Sequence, residues 1–256
     1  MVFETVFEEQ IPKIGLGTWQ MRGESCRRSV LSALEMGYRH LDTAEYYRNE
    51  EAVGRAIQES GVPREELFIT SKVWSSHFQK DQVQQAGEDS LRRLGVDYLD
   101  LYLIHHPSDA VPLEETLAGM QALVDQGKTR FIGVSNFSVS LLERSREIAG
   151  APIFTNQVKY HPFHPQEALV EYCQQEDILL TAYSPLARGG VLGDPTLKEI
   201  GNRYDKTPAQ VALRWLIQQP MVITIPKASS EEHQKANLAV FGFQLNAEEM
   251  EAIRSL

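Results

Sequence analysis

Eight short apolar runs, each followed by a charged amphipathic stretch, pace this chain from residue 14 to residue 226. They fall at 14–18, 38–42, 67–72, 98–105, 130–135, 153–158, 178–184 and 221–226. The runs are rich in Ile, Leu, Val and Thr and lack clean alternation, as expected of strands buried on both faces of a parallel sheet. The stretches 25–36, 49–60, 80–94, 113–126, 139–148 and 166–175 read as helices, and Gly61-Val62-Pro63 and Gly95 supply stop signals for two of them. Eight strand–helix units in 256 residues suit a closed (β/α)8 barrel, which typically takes about 250 residues. A doubly wound open sheet is the runner-up. It would want a G-x-G-x-x-G turn opening a helix, and the glycines of "GLGT" do not form one. With no long repeat, low-complexity tract or Pro/Gly/Ser-rich linker, residues 1–256 read as a single barrel domain.

Charge narrows the partners. Acidic residues outnumber basic ones 35 to 25, a formal charge of -10, which argues against a nucleic-acid binder. No apolar run approaches the ~20 residues that span a bilayer. The N-terminal "MVFETVFEEQIPKIG" is acidic and lacks the apolar core of a signal peptide. Cys26 and Cys173 have no metal-ligand spacing and read as reduced thiols of a cytoplasmic protein, with no metal expected.

The polar residues gather where the strands end. In order they are Asp42, Lys72, His105 and His106, Ser135 and Asn136, Asn156 and Gln157, Tyr183 and Ser184, and Lys227, with Tyr47 just after the second strand. Each alone has an ordinary reading: a solvated lysine, a hydrogen-bonded core histidine, an aspartate capping the next helix. Together they lie at the C-terminal end of one barrel, where such folds build their sites. A phenol is a poor acid–base group at neutral pH, since its ordinary pKa is ~10. A neighbouring ammonium stabilises its phenolate, and a buried ammonium needs a carboxylate. Asp42 can hold Lys72, Lys72 can tune Tyr47, and His105 can donate to an oxygen gaining negative charge. That set suits protonation of a carbonyl oxygen while hydride reaches the carbon.

The motifs "GLGTW", "LDTAEYYRNEEAVG", "ITSKVW", "DLYLIHHP", "GVSNF", "TNQVKYHP", "AYSPLA" and "IPKASS", in this order and spacing, resemble the aldo-keto reductases from about residue 14 onward. The resemblance implies that Asp42, Tyr47, Lys72 and His105 form the catalytic tetrad, with Tyr47 the general acid and Tyr46 a packing or rim residue. It implies a nicotinamide cofactor bound without a Rossmann domain. Ser135, Asn136 and Gln157 would hold the carboxamide, Tyr183 would stack on the ring, and Ser184 and Leu186 would line the pyrophosphate. Thr18 and Asp42 would add cofactor contacts, and Lys227, His233 and Asn237 would grip the adenosine end.

That last segment departs from the family pattern. His233 stands where many members have Arg, Ala228 where many have Ser and Ala236 where many have Glu. Arg makes a permanent bidentate phosphate contact that a mostly neutral imidazole does not. NADP(H) is therefore expected with a reduced margin, NAD(H) also being accepted. Trp19, Trp74 and His106 would border the substrate pocket, and the short "HPSDAVPLEE" connection and absence of a long C-terminal loop imply an open mouth. In length and loop economy the chain is similar to the diketogluconate reductase branch. The expected substrate is a small carbonyl compound, and the expected state is a monomer. Two other readings compete: a cofactor-binding regulatory or structural protein on the same fold, and a barrel aldolase or isomerase with Lys72 as Schiff base.

Overall fold

The computed structural model describes residues 2–256. An antiparallel hairpin, β1 (Phe3–Val6) and β2 (Glu9–Pro12), precedes eight parallel strands. These are β3 (Leu16–Gly17), β4 (His40–Asp42), β5 (Phe68–Val73), β6 (Leu99–Ile104), β7 (Thr129–Ser135), β8 (Ile153–Lys159), β9 (Leu179–Tyr183) and β10 (Val222–Thr224). They pair in sequence order, and a parallel bridge between Ile14 and Thr224 joins the first segment to the last. The Gly15 amide donates to Thr224 O at 2.9 Å and the Thr224 amide to Lys13 O at 3.0 Å, so the sheet closes into a (β/α)8 barrel. Every run read as a strand is one. The first is shorter than 14–18 because the chain changes partner midway: Ile14 pairs with the last strand, Leu16 and Gly17 with β4. Gly17 is required at that seam, since a Cβ there would sit 2.5 Å from Ile225 O.

The connecting helices are α1 (Gly23–Glu35), α2 (Glu50–Ser60), α3 (Lys80–Leu94), α4 (Leu113–Asp125), α5 (Val139–Ile148), α6 (Glu167–Gln175), α7 (Pro195–Tyr204), α8 (Pro208–Gln218), α9 (Glu231–Leu238) and α10 (Ala247–Arg254). Gly61 and Gly95 take left-handed φ of 64° and 66° as they end α2 and α3. In α1, Cys26, Val30, Ala33 and Leu34 form the buried stripe that packs on the sheet. The four helices after β9 lie outside the stretches assigned from sequence, although their starts carry cues. Thr207 and Asn246 each close a capping box, with Gln210 and Glu249, and Pro195 and Pro208 occupy first-turn positions.

The hairpin was also unread. Its turn puts Phe7 and Glu8 at φ of 48° and 65°, a conformation usually given to Asn or Gly, so no turn signal marks it. Tertiary contacts hold it: Phe7 lies against Phe154 at 6.2 Å, while Val6 and Ile11 join Phe68, Leu101, Leu103, Leu179 and Ile223 in an apolar floor inside the barrel. Lys13 donates to Ile217 O at 2.8 Å and Gln219 O at 3.1 Å and pairs with Glu4 at 2.8 Å, tying the hairpin to the end of α8. The floor seals one end of the barrel, and the polar strand ends occupy the other.

Candidate active site

At that open end a cavity of about 370 Å³ is lined by Gly17, Trp19, Asp42, Tyr46, Tyr47, Trp74, His105, His106, Ser135, Asn136, Gln157, Tyr183, Ser184, Arg188, Ile225 and Lys227. Larger surface grooves exist, two of them sharing rim residues with this cavity, but none contains Asp42, Tyr47 or His105. Lys72 lies beneath its wall. Its Nζ donates to Asp42 Oδ1 at 2.6 Å and to Thr43 O at 2.8 Å, and reaches the Tyr47 hydroxyl at 3.4 Å. Lys72 is fully buried and Asp42 is 1% exposed. Burial alone would depress the Lys72 pKa; Asp42 and Tyr47 outweigh it and hold the ammonium above its ordinary value.

Lys72 was expected to bring the Tyr47 phenol down. Burial instead pushes it up, with Lys72 pulling the other way and Asp42 cancelling part of that pull. Tyr47 is thus protonated at neutral pH, the form a proton donor must hold, and Lys72 is the neighbour that favours release of that proton. His105 is held neutral, its pKa lowered to about 2 by burial and then by Lys72 and His106. Its Nδ1 is sealed without a hydrogen-bond partner among the described residues, so Nε2 is the nitrogen that can meet a ligand. The tetrad residues therefore meet, with Tyr47 and His105 rings edge-on at 5.5 Å.

Around them Gln157 Nε2 donates to Asp42 Oδ2 at 2.7 Å, and the Ser135 hydroxyl to Gln157 O at 2.8 Å. Asn136, at φ 63°, donates to His106 Nδ1 at 2.9 Å and accepts from the Tyr183 hydroxyl at 2.9 Å. His106 stacks on His105 at 5.0 Å. Tyr46 stacks on Trp74 at 4.0 Å and lies 5.9 Å from Trp19, so it forms part of the rim.

Four residues expected at the cofactor do not line this cavity. Thr18 is fully buried and donates its hydroxyl to Asp42 O at 3.0 Å, so it steadies the Asp42 strand. Leu186 packs on the core. His233 is exposed on the first turn of α9, between cavity-edge Lys227 in the chain and the helix body, with Glu231 and Glu232 beside it. Asn237 is 5% exposed, beside the Tyr38 hydroxyl. Sequence reasoning missed Arg188. Its signal was a cation in "SPLARGG", a loop where Ser184, Ala187, Arg188 and Gly189 all take positive φ.

Three histidines are buried neutral: His40 lowered to about 3, His105 to about 2 and His161 to about 4, burial being the first cause in each. Unfolded, they would bind protons below about pH 6.5. The unfolded chain then holds more protons, so stability is intact above that pH and falls as pH drops below it, by up to about 4 kcal/mol per pH unit for three groups. The thermal midpoint is expected to fall steadily between pH 6.5 and 5 in calorimetry. A flat midpoint over that interval would contradict the neutral burial of these rings.

A protonated phenol and a neutral imidazole at the mouth of a barrel, backed by a buried ion pair, handle the oxygen of a polarised double bond; this is the equipment of a carbonyl-reducing barrel oxidoreductase. The chain belongs to the aldo/keto reductase family, whose model matches residues 13–256. It is 44% identical over 248 residues to the glyoxal reductase of Bacillus subtilis, covering 96% of this chain and 89% of that one. Its structure matches one named for 2,5-diketo-D-gluconic acid reductase B, with a TM-score of 0.97 and 42% identity over 99% of this chain and 90% of that one. A Bombyx mori aldo-keto reductase solved in complex with NADP matches with a TM-score of 0.93 and 37% identity, over 99% and 92% of the two chains.

Proposed function

We propose that the protein reduces small aldehydes and α-dicarbonyls to alcohols with NADPH, Tyr47 being the general acid. The observation that carries this is the meeting of Tyr47, Asp42 and His105 at one cavity, with Lys72 bonded to Asp42 and Tyr47 behind its wall. The donor set fits a nicotinamide. Ser135, Asn136 and Gln157 place a hydroxyl and two amides on one side of the cavity, with the Tyr183 ring beside them. Holding a carboxamide there means exchanging the Tyr183–Asn136 bond for bonds to the ligand, which frees the Tyr183 ring to stack. When bound, the reduced nicotinamide supplies hydride to the carbonyl carbon. Tyr47 gives its proton to the carbonyl oxygen, and the His105 Nε2–H donates to the same oxygen as charge builds. The aromatic rim of Trp19, Tyr46 and Trp74 limits water and orients the substrate.

A small cavity and the likeness to a glyoxal reductase support α-oxoaldehydes as substrates. The buried thiols Cys26 and Cys173 are consistent with the reducing cytoplasm, and no helix among the described residues is long and apolar enough to cross a membrane. The Schiff-base reading suffers because Lys72 is sealed, charged and off the cavity wall. Purified protein, NADPH and glyoxal, methylglyoxal or an aromatic aldehyde, followed by nicotinamide absorbance, test the proposal. Tight NADPH binding without turnover of any carbonyl would favour the regulatory reading.

Cofactor choice follows from the anion-gripping residues. Lys227 is exposed at the cavity edge, its Nζ 3.2 Å from Ser229 Oγ, whereas Glu231 and Glu232 put two negative charges on the α9 first turn. His233→Arg is expected to tighten NADPH by roughly 1–2 kcal/mol and leave NADH nearly unchanged. Lys227→Ala should bring the two dissociation constants together. Equal responses of both cofactors to His233→Arg would show that residue 233 does not face the 2′ position.

A further inference from the structure

We propose that Glu45 is a positioning residue that sets the distance between the two arms of the site, the β4 exit carrying Tyr47 and the β5 exit carrying Lys72. Glu45 opens the short 3-10 turn Glu45–Tyr47 that holds both rim and catalytic tyrosines. Its side chain is 10% exposed, and Oε1 accepts the backbone N–H of Trp74, two residues beyond Lys72. His77 Nδ1 lies 3.1 Å from the same oxygen and 3.3 Å from Oε2, steadying the carboxylate from the outer side.

The arms are therefore stitched twice. Asp42 and Lys72 form the inner stitch at 2.6 Å; Glu45 and the Trp74 amide form the outer one. The Tyr47–Lys72 approach of 3.4 Å, long for a hydrogen bond, spans the same two arms and is not held by a strong bond of its own. Two ring contacts depend on the outer stitch as well. Trp74 is held against Tyr46 at 4.0 Å and edge-on to His105 at 5.0 Å. A carboxylate accepting an amide N–H makes a charge-assisted bond, stronger than a neutral one, so losing it releases Trp74 from both neighbours. Small misplacements at a reacting site carry rate costs far larger than their cost in stability.

The proposal rests on Tyr47 being the acid, and the test separates the two. Glu45→Ala and Glu45→Asp are compared with Glu45→Gln, which keeps an acceptor oxygen at the same reach. The expected result is a fall in kcat of about tenfold or more for Ala and Asp, with NADPH affinity within about twofold and kcat recovered to within about threefold in Gln. The alkaline limb of the pH–rate profile should move to higher pH in Ala and Asp, because Tyr47 loses part of the Lys72 field. In the cofactor-free protein the indole N–H resonance of Trp74 should shift in Ala and Asp and stay near its place in Gln. Should Glu45→Ala not fold, Glu45→Asp carries the same comparison. Lowered thermal stability with unchanged kcat, alkaline limb and Trp74 resonance would make Glu45 a turn cap and overturn the proposal. A Tyr47→Phe enzyme at full activity would instead overturn the assignment of the acid, whatever Glu45 does.

Discussion

Tyr47→Phe is expected to lower kcat for aldehyde reduction by at least ~10²–10⁴-fold, the usual worth of general acid catalysis, with loss of the oxygen-polarising hydroxyl adding to it. The fold and cofactor affinity should survive. Among the described residues the hydroxyl's one partner is Lys72 Nζ, at 3.4 Å, and the ring keeps its contacts with Trp19 at 4.8 Å and His105 at 5.5 Å. The measurement is kcat for methylglyoxal alongside NADPH affinity by fluorescence. Tyr46→Phe is the matched control: that hydroxyl stands on the rim, 47% of the residue is exposed, and its loss should leave kcat within a few-fold. If the Tyr47 variant kept wild-type turnover, the proton would have to come from elsewhere in the mouth, and His105 would be the next residue to change.

Lys72→Met should remove most activity and, separately, a large part of the stability. The activity falls because Tyr47 loses the Lys72 charge that opposes the upward push of burial on its pKa. Stability falls because the Asp42 carboxyl, 1% exposed, loses its buried partner, and breaking a buried pair on one side typically costs about 3–5 kcal/mol. Gln157 Nε2, 2.7 Å from Oδ2, compensates only in part. Asp42→Asn should be milder in rate, since Lys72 still has Thr43 O at 2.8 Å and Tyr47. Combining Asp42→Asn with Lys72→Met should restore much of the thermal midpoint and none of the turnover. Denaturant unfolding and pH–rate profiles of the three variants separate the two effects. A Lys72→Met enzyme with an unchanged alkaline limb would remove Lys72 from the chemistry.

Barrel, family and the gathering of Asp42, Tyr47, Lys72 and His105 were legible along the chain because each rests on local information. Parallel strands buried on both faces write continuous apolar runs, and the strand ends put polar residues at fixed steps, as Asp42, Tyr47 and Lys72 do. The capping boxes of α8 and α10 are equally local, written as Thr207 with Gln210 and Asn246 with Glu249. The N-terminal hairpin was not legible: Phe7 and Glu8 accept left-handed φ because packing on Phe154 and the barrel floor stabilises a turn their own preferences disfavour. The resemblance implies a cofactor contact for Thr18; that its hydroxyl donates to Asp42 O is a fact of the fold. Arg188 and Glu45 acquire their places only in the fold: Arg188 reaches the cavity that Lys227 also lines, and Glu45 accepts the Trp74 amide across the β4–β5 seam. The direction of the Tyr47 pKa belongs to the same class. Residue types name the opposing influences, but their balance depends on burial depth and on separations of a few ångströms, and those exist only once the barrel has closed.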